Sequence, residues 1–515
     1  MAGMAMDYFL RRALRLHAGR VALVAGGRRV LYRELDRRSS RLAAGLMAAG
    51  LRRGDRLALL LGVTPRFFET EIAAAKAGLV KVPVNTRLAM REIVKTLASC
   101  GARAAVADPP FAEALADARA DLPELATVIK TGGPGALPEY ERLIADGSDD
   151  FQPREASAAG DIYSIRFSGG TTGEPKGIVH THAAYVAISL AVLREYEVAA
   201  DERSLQVTHP AHGANFTWPA LLARGTEIHL LERYDPGAVL RVIAAERLTR
   251  VPMVPAMWQG VLDHAEMRAT DWSSVRTCAS ISAPMAVERV RQMLDRLGPR
   301  LMNVYTLSES PVMSTILKKE DFAAGGARLA SCGREAEDVR LRIVDPAGRD
   351  VAAGEIGEII LSSPGNMLCY WNNRQLTAET LRDGWVWTGD MGRRDEEGFV
   401  YLVDRRSEMI VTGGFNVYPR EVEEVLYEHP AVREAAVAGV PDPRWGEAVA
   451  AFVALHRGAA CTEAELLGFC DARIAHYKKP KSVRFLDDLP KTSAGKISRR
   501  ALADPFWSGR DRRIG

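Results

Sequence analysis

Residues 168–177 read SGGTTGEPKG, and they follow the apolar, partly β-branched run DIYSIRF. Glycine has no Cβ and tolerates φ > 0, so backbone N–H groups at Gly169, Gly170 and Gly173 can converge on an oxyanion. The hydroxyls of Ser168, Thr171 and Thr172 add donors, and Lys176 adds a mobile cation. These are the parts of a polyphosphate site. The stretch is not a Walker A loop, which needs Gly-Lys-Ser/Thr entering a helix; here Pro175 precedes Lys176 and the strand-like GIVH follows. On local pattern alone, a surface Gly/Thr loop would read the same.

Four further stretches carry charged residues in unusual company: YTLSE at 305–309, WTGD at 387–390, DRRSE at 404–408 and LPKTSAGKISRR at 489–500. Glu309 and Asp390 bring carboxylates, which accept hydrogen bonds, and Arg405 and Lys496 bring cations. Each alone could equally be a solvated side chain. His180 and His182 form a His-x-His pair, but no acidic or cysteine partner is spaced to complete a metal site, and none is assigned.

The elements that must position these residues are legible in outline. Strand-like RVALVAGG, RRVLYREL, RLALLLG and VKVPVN alternate with helical LDRRSSRLAAGLMAAGL and TPRFFETEIAAAKAGLV. The βα pattern returns at RVPMVP and SSVRTCASIS, each followed by a helical run, and implies mainly parallel sheets between helices. From about Val339 the texture becomes Gly-punctuated alternation, which predicts antiparallel hairpins. A boundary is expected near 404–408, followed by a small unit with two helices, strands and a basic loop. The expected fold is α/β: a large N-terminal domain, 1–405, of βα-layered subdomains plus a β-rich subdomain, and a small mobile α+β C-terminal domain, 406–515.

Composition limits the partners. Among 515 residues, 68 basic side chains against 65 acidic ones argue against wholesale binding to nucleic acid, although residues 473–515 hold twelve Lys or Arg against four Asp. The six cysteines include no Cys-x-x-Cys pair, which suits free thiols in a reducing cytosol. The N-terminus lacks a leader-like apolar run and no segment is long and apolar enough to span a bilayer, so a cytoplasmic protein is expected.

Taken in order, SGGTTGEPKG, YTLSE, WTGD, DRRSEMIVTGGFNVYPREVE and LPKTSAGKISRR resemble the motif series of the adenylate-forming superfamily: acyl-CoA synthetases, peptide-synthetase adenylation domains and firefly luciferase. The resemblance covers nearly the whole chain. It implies that a carboxylate attacks the α-phosphate of ATP, giving an acyl-adenylate and pyrophosphate, and that a thiol then takes the acyl group. By the same resemblance Ser168, Gly169, Gly170, Thr171, Thr172, Gly173 and Lys176 hold the β- and γ-phosphates, although Ser168-Gly169-Gly170 stands where many members have Thr-Ser-Gly. Tyr305 would pack on adenine, Ser308 lie near the α-phosphate, and Glu309 hold Mg²⁺. Ser282, Ala283 and Pro284 would line the adenine, and Asp390 and Arg405 would reach the ribose. Lys496 would bridge the reacting carboxylate and α-phosphate, with Lys491 as a nearby decoy. His212 would border the acyl pocket and gate the thiol, and Gly413 and Gly414 would meet the pantetheine arm of coenzyme A. The pivot between the two domains would fall at Ser407.

Gly213 stands where amino-acid-activating members commonly carry an aspartate, which disfavours an amino-acid substrate. The expected acyl tunnel, His212, Asn215, Phe216, Ile281, Ser282, Thr306 and Leu307, mixes apolar and small polar side chains and suits a medium- or long-chain fatty acid or an aromatic or alicyclic acid. No evident buried cation awaits a second charge, with Arg166, just before the glycine loop, as the exception. The resemblance thus implies an AMP-forming acid:CoA ligase using ATP, Mg²⁺ and coenzyme A, with an enzyme that loads a carrier protein as the alternative; self-association into a homodimer is left open.

Overall fold

The computed structural model describes residues 3–132, 137–169, 175–211, 216–281, 285–492 and 496–508. Two large, mainly parallel sheets dominate it. In the nine-stranded sheet, Val21–Ala25, Glu227–Leu230, Arg203–Gln206, Arg250–Met253, Thr277–Ser280 and Leu301–Leu307 lie side by side and parallel. Antiparallel strands close its edges: Arg28–Leu31 on one side, and Ser310–Leu317 with Arg334–Glu335 on the other. The seven-stranded sheet has parallel Ile162–Gly169, Val80–Pro83, Arg56–Leu60, Ala104–Ala107 and Thr127–Lys130, with antiparallel Pro175–Thr181 and Cys369–Tyr370 at its end.

Local chemistry accounts for several of these elements. Gly26 and Gly27 have φ of 55° and 82°, which lets a two-residue turn join Val21–Ala25 to Arg28–Leu31. RRVLYREL does not continue as a strand: it passes into the helix Tyr32–Ala48 at Tyr32, whose buried hydroxyl donates to the Thr226 carbonyl at 2.8 Å. The helix Pro65–Ala77 starts on a proline, ends at Gly78 in the left-handed region, and is buried for almost its whole length. Its buried charges are paired: Glu69 with Arg38 at 2.7 Å, Glu71 with Lys81, and Lys76 with Asp36 at 2.5 Å.

The expected hairpins after Val339 form a third sheet, an antiparallel one of Arg340–Val344, Gly357–Ser362, Trp385–Arg394, Leu381–Arg382 and Val400–Arg405. A fourth sheet comprises Phe415–Val417, Ile410–Thr412, Gly446–Leu455, Val432–Asp442 and, parallel to its neighbour, Ser482–Phe485. The helices Pro419–Tyr427 and Glu463–Asp471 cover one face of it, and Arg499–Trp507 packs on the other. The basic loop expected after Glu463–Asp471 therefore contains a strand and a helix, because Val483, Leu489 and Leu502 supply apolar anchors that its many cations obscure. All six cysteines are free, and among the described residues no helix is long and apolar enough to cross a membrane.

Candidate active site

A cleft of about 1430 Å³ opens at the carboxyl ends of the parallel strands, where side chains after a strand are free to face a ligand. Thr208 follows Arg203–Gln206, Val254 follows Arg250–Met253, Ser280 ends its strand, and Thr306 to Glu309 lead out of Leu301–Leu307; all line the cleft. The C-terminal residues Lys496, Arg499 and Arg500 line the same space.

Of the expected nucleotide residues that are described, Tyr305, Asp390 and Arg405 line it together. Asp390 and Arg405 face each other on adjacent antiparallel strands, with Arg405 Nε 3.2 Å from Asp390 Oδ1. The Tyr305 hydroxyl donates to Asp390 Oδ2 at 2.7 Å, and the Asp390 amide donates to Thr388 Oγ1 at 3.0 Å. Burial raises the Asp390 carboxyl above its usual range, against the opposing pull of Arg405, the Tyr305 hydrogen bond and Lys496. Tyr305 is also raised, by burial first and by Asp390 second. The Asp390 carboxyl is thus oriented by the Tyr305 hydroxyl and the Arg405 guanidinium.

Glu309 lies in the turn between Leu301–Leu307 and Ser310–Leu317, and its Oε1 accepts from the Tyr370 hydroxyl at 2.7 Å. The Met367 amide holds the Glu309 carbonyl at 2.7 Å, so the turn is tied to the short Cys369–Tyr370 strand region. One fixed carboxylate suits Mg²⁺, which keeps much of its water and takes one or two protein carboxylates alongside substrate phosphate.

Lys496 is on the loop that returns to Pro490 and Thr492. The Thr492 amide donates to its carbonyl at 2.7 Å, and its own amide donates to Thr492 Oγ1 at 3.2 Å. Its side chain keeps contact with water, but its depth in the cleft and Arg405 lower its affinity for the proton, opposed by Asp390 and Glu408. Lys491, by contrast, makes an ion pair with Glu434 at 2.7 Å.

Ser308 and Lys176 also line the cleft, and Lys176 sits opposite Ser168 where the hairpin Ile162–Gly169/Pro175–Thr181 approaches its tip. Gly170, Thr171, Thr172, Gly173, His212, Ser282, Ala283 and Pro284 lie outside the described residues, as do the side-chain environments of Ser168 and Gly169. Gly413 and Gly414 are not among the lining residues. They form the turn from Ile410–Thr412 to Phe415–Val417, with φ of 57° and 83°, and a Cβ at Gly413 would meet the Trp445 ring at 2.6 Å.

Two contributors were not anticipated. Tyr370 gives no local sign of its role beside Glu309, since they are far apart in sequence. Arg499 did carry a sign, lying in the same motif as Lys496. It bridges Asp404 at 2.8 Å, Glu423 at 2.6 Å and Glu408, and Asp404 is also held by the Arg420 amide at 2.9 Å. Burial alone would lower the Arg499 guanidinium; Glu423 and Asp404 more than reverse this. The His-x-His pair is otherwise engaged: His182 Nδ1 accepts from the Met6 amide at 3.2 Å, while His180 packs on Tyr185 and Phe216.

The chain belongs to the AMP-binding enzyme family, whose main domain matches residues 10–371 and whose C-terminal domain matches residues 421–496. It is 38% identical over 491 residues to a feruloyl-CoA synthase of an Amycolatopsis species, covering 95% of this chain and 96% of that one. A medium/long-chain-fatty-acid–CoA ligase of Mycobacterium tuberculosis is 34% identical over 523 residues, covering 99% and 91%. In structure it is similar to an anthranilate CoA ligase solved with anthranoyl-AMP, with a TM-score of 0.92, 26% identity and 98% of each chain covered.

Proposed function

We propose that the protein is an ATP-dependent, AMP-forming acid:CoA ligase that acts on a fatty or an aromatic carboxylic acid. The observation that carries this reading is the meeting of Glu309, Asp390, Arg405 and Lys496, from separate motifs, around one cleft in a member of the AMP-binding enzyme family. In the first half-reaction a carboxylate oxygen attacks the α-phosphorus of ATP and the bond to pyrophosphate breaks. In the second, the coenzyme A thiol gives up its proton and attacks the acyl carbon, and AMP departs.

Negative charge builds on the α-phosphate and the leaving pyrophosphate, so fixed donors and cations aimed there lower the barrier. Ser168, Gly169, Gly170, Thr171, Thr172, Gly173 and Lys176 would hold the outer phosphates. Asp390 and Arg405 would take the ribose, with Tyr305 and residues 282–284 at the base and Ser308 near the α-phosphate. Mg²⁺, held by Glu309, would neutralise phosphate charge. Lys496 would bridge carboxylate and α-phosphate; the anion's arrival favours its charged form. His212 would border the acyl group, and Gly413 and Gly414 would meet coenzyme A once residues 406–515 have rotated.

Pyrophosphate release and thioester formation, measured on octanoate, benzoate and ferulate with either free coenzyme A or a holo carrier protein, test the reading. Acid-dependent pyrophosphate release with transfer to coenzyme A is expected. Transfer to the carrier alone would replace the ligase assignment with a carrier-loading one, and silence on every acid would defeat both.

A further inference from the structure

Arg166 sits on the strand Ile162–Gly169, just ahead of the glycine loop, and lines the cleft while being only 3% exposed. Its Nη2 donates to the Ala211 carbonyl at 2.9 Å, and its guanidinium lies 4.3 Å from the centre of the Phe216 ring. Its Nη1 is buried and has no hydrogen-bond partner among the described residues. Among the described residues no carboxylate pairs with it.

The contrast with other buried cations is informative. Lys81 is paired with Glu71, Lys76 with Asp36 and Arg250 with Glu202 at 2.8 Å. Arg166 alone among these four has no carboxylate partner among the described residues. Neighbouring groups add no compensation: His180 is pushed down to about 3 by burial and by Arg166 and Lys81, so it is neutral at pH 7. A buried guanidinium with an unused donor is costly to stability, and that cost is recovered when a ligand supplies the missing acceptor.

Resting on the ligase reading, we infer that Arg166 is a specificity-determining residue that receives an oxygen acceptor on the acyl portion of the substrate. The preferred acid is therefore a fatty or aromatic acid bearing a hydroxyl, carbonyl or second carboxylate, not a plain hydrocarbon acid. The Ala211 carbonyl and the ring of Phe216, itself an expected acyl-tunnel residue, hold the guanidinium at the cleft.

The test uses matched acids, 4-hydroxycinnamate against cinnamate and octanedioate against octanoate, on wild type, Arg166→Met and Arg166→Lys. In wild type, one oxygenated acid of a pair should exceed its plain congener in kcat/KM by about tenfold or more, because a site built around a polar partner rejects the analogue that lacks it. Preference in the cinnamate pair alone would mean a neutral oxygen, and in the octanoate pair a second carboxylate. Arg166→Met should bring the pair within about twofold while plain-acid turnover survives, and Arg166→Lys should keep part of the preference. The proposal is overturned if neither oxygenated acid is preferred, if the preference survives in Arg166→Met, or if both acids of a pair fall together.

Thermal unfolding supplies a readout independent of turnover. Arg166→Met should unfold at or above the wild-type temperature, and the preferred acid should raise the Tm of wild type but not of the variant. A fall of more than about 4 °C without ligand would make Arg166 a structural residue and sink the inference. Acid-induced shifts that follow this pattern without pyrophosphate release would keep the Arg166 site and remove the ligase reading.

Discussion

Lys496 and Lys491 belong to one short basic loop, yet their surroundings differ. Lys491 is committed to Glu434, whereas Lys496 faces the cleft near Asp390, Arg405 and Glu408. Lys496→Ala should reduce acid-dependent pyrophosphate release about a hundredfold or more, since it removes a cation from the developing charge. It should largely spare thioester formation from a supplied acyl-adenylate, where α-phosphate attack is already complete. Lys491→Ala should cost little in either step. Separate assays of the two half-reactions check this, and the reverse ranking of the lysines would mean that Lys491 carries the chemistry. Tyr305 offers a finer probe. Tyr305→Phe keeps the ring but frees one Asp390 oxygen, so the KM for ATP should rise several-fold while the acid's KM holds; equal rises in both would point to general damage to the cleft.

At the scale of elements, the connection from Val400–Arg405 into Ile410–Thr412 is the place to look for movement. Ser407 is exposed in the single 3-10 turn Arg406–Glu408, and it lines the cleft. Around it, Arg499 ties Asp404 to Glu408 and Glu423, while the Val287 amide meets Glu424 at 3.2 Å and Arg289 reaches the Arg433 carbonyl at 3.3 Å. These contacts tie Glu424, Arg433 and Arg499 down in the arrangement in which Lys496 lines the cleft. Proline at 407 suits the φ of a 3-10 turn but crowds the helical backbone of Arg406. Ser407→Pro should therefore retain most pyrophosphate release, with a loss of a few-fold from that crowding, and lose thioester formation by about tenfold or more because the pivot cannot turn. Ser407→Ala should leave both intact. Normal rates of both half-reactions in the proline variant would move the pivot elsewhere or remove the need for one.

Across the whole molecule, burial of neutral histidines sets a response to acid. His180 is lowered to about 3 and His182 and His209 to about 4, each mainly by burial. The unfolded chain takes up these protons as pH falls through about 6.5, while the folded chain does not until much lower, so stability is lost on acidification between those limits. Each group contributes a slope of about 1.4 kcal/mol per pH unit in the middle of that window. The urea midpoint should fall clearly from pH 7 to pH 5, and His180→Phe, which keeps an aromatic ring against Tyr185 and Phe216, should make that fall shallower. A midpoint unchanged between the two pH values would show that these histidines are protonated in the folded protein.

The proposed site residues stand out in the sequence because the chemistry proposed for them uses particular residue types at short spacing: glycines and hydroxyls in SGGTTGEPKG, and isolated charges in YTLSE, WTGD, DRRSE and SAGKIS. The βα alternation was legible for a similar reason, since the periodicity of a helix or strand is a property of neighbouring residues. Tertiary structure alone decided the partnerships between distant positions, Tyr370 with Glu309, Tyr305 with Asp390, and Arg499 with Asp404 and Glu423. It also decided the state of Arg166. Strand alternation sets Ser164 and Arg166 on one face and Ile165 and Phe167 on the other, a pattern that normally marks a solvent-facing side. Here the polar face is covered as well, because Ile162–Gly169 runs through the interior with Phe216 and Tyr185 packed above it. Whether a charge faces water or is buried without a partner depends on what the rest of the chain lays over it, and no local pattern records that.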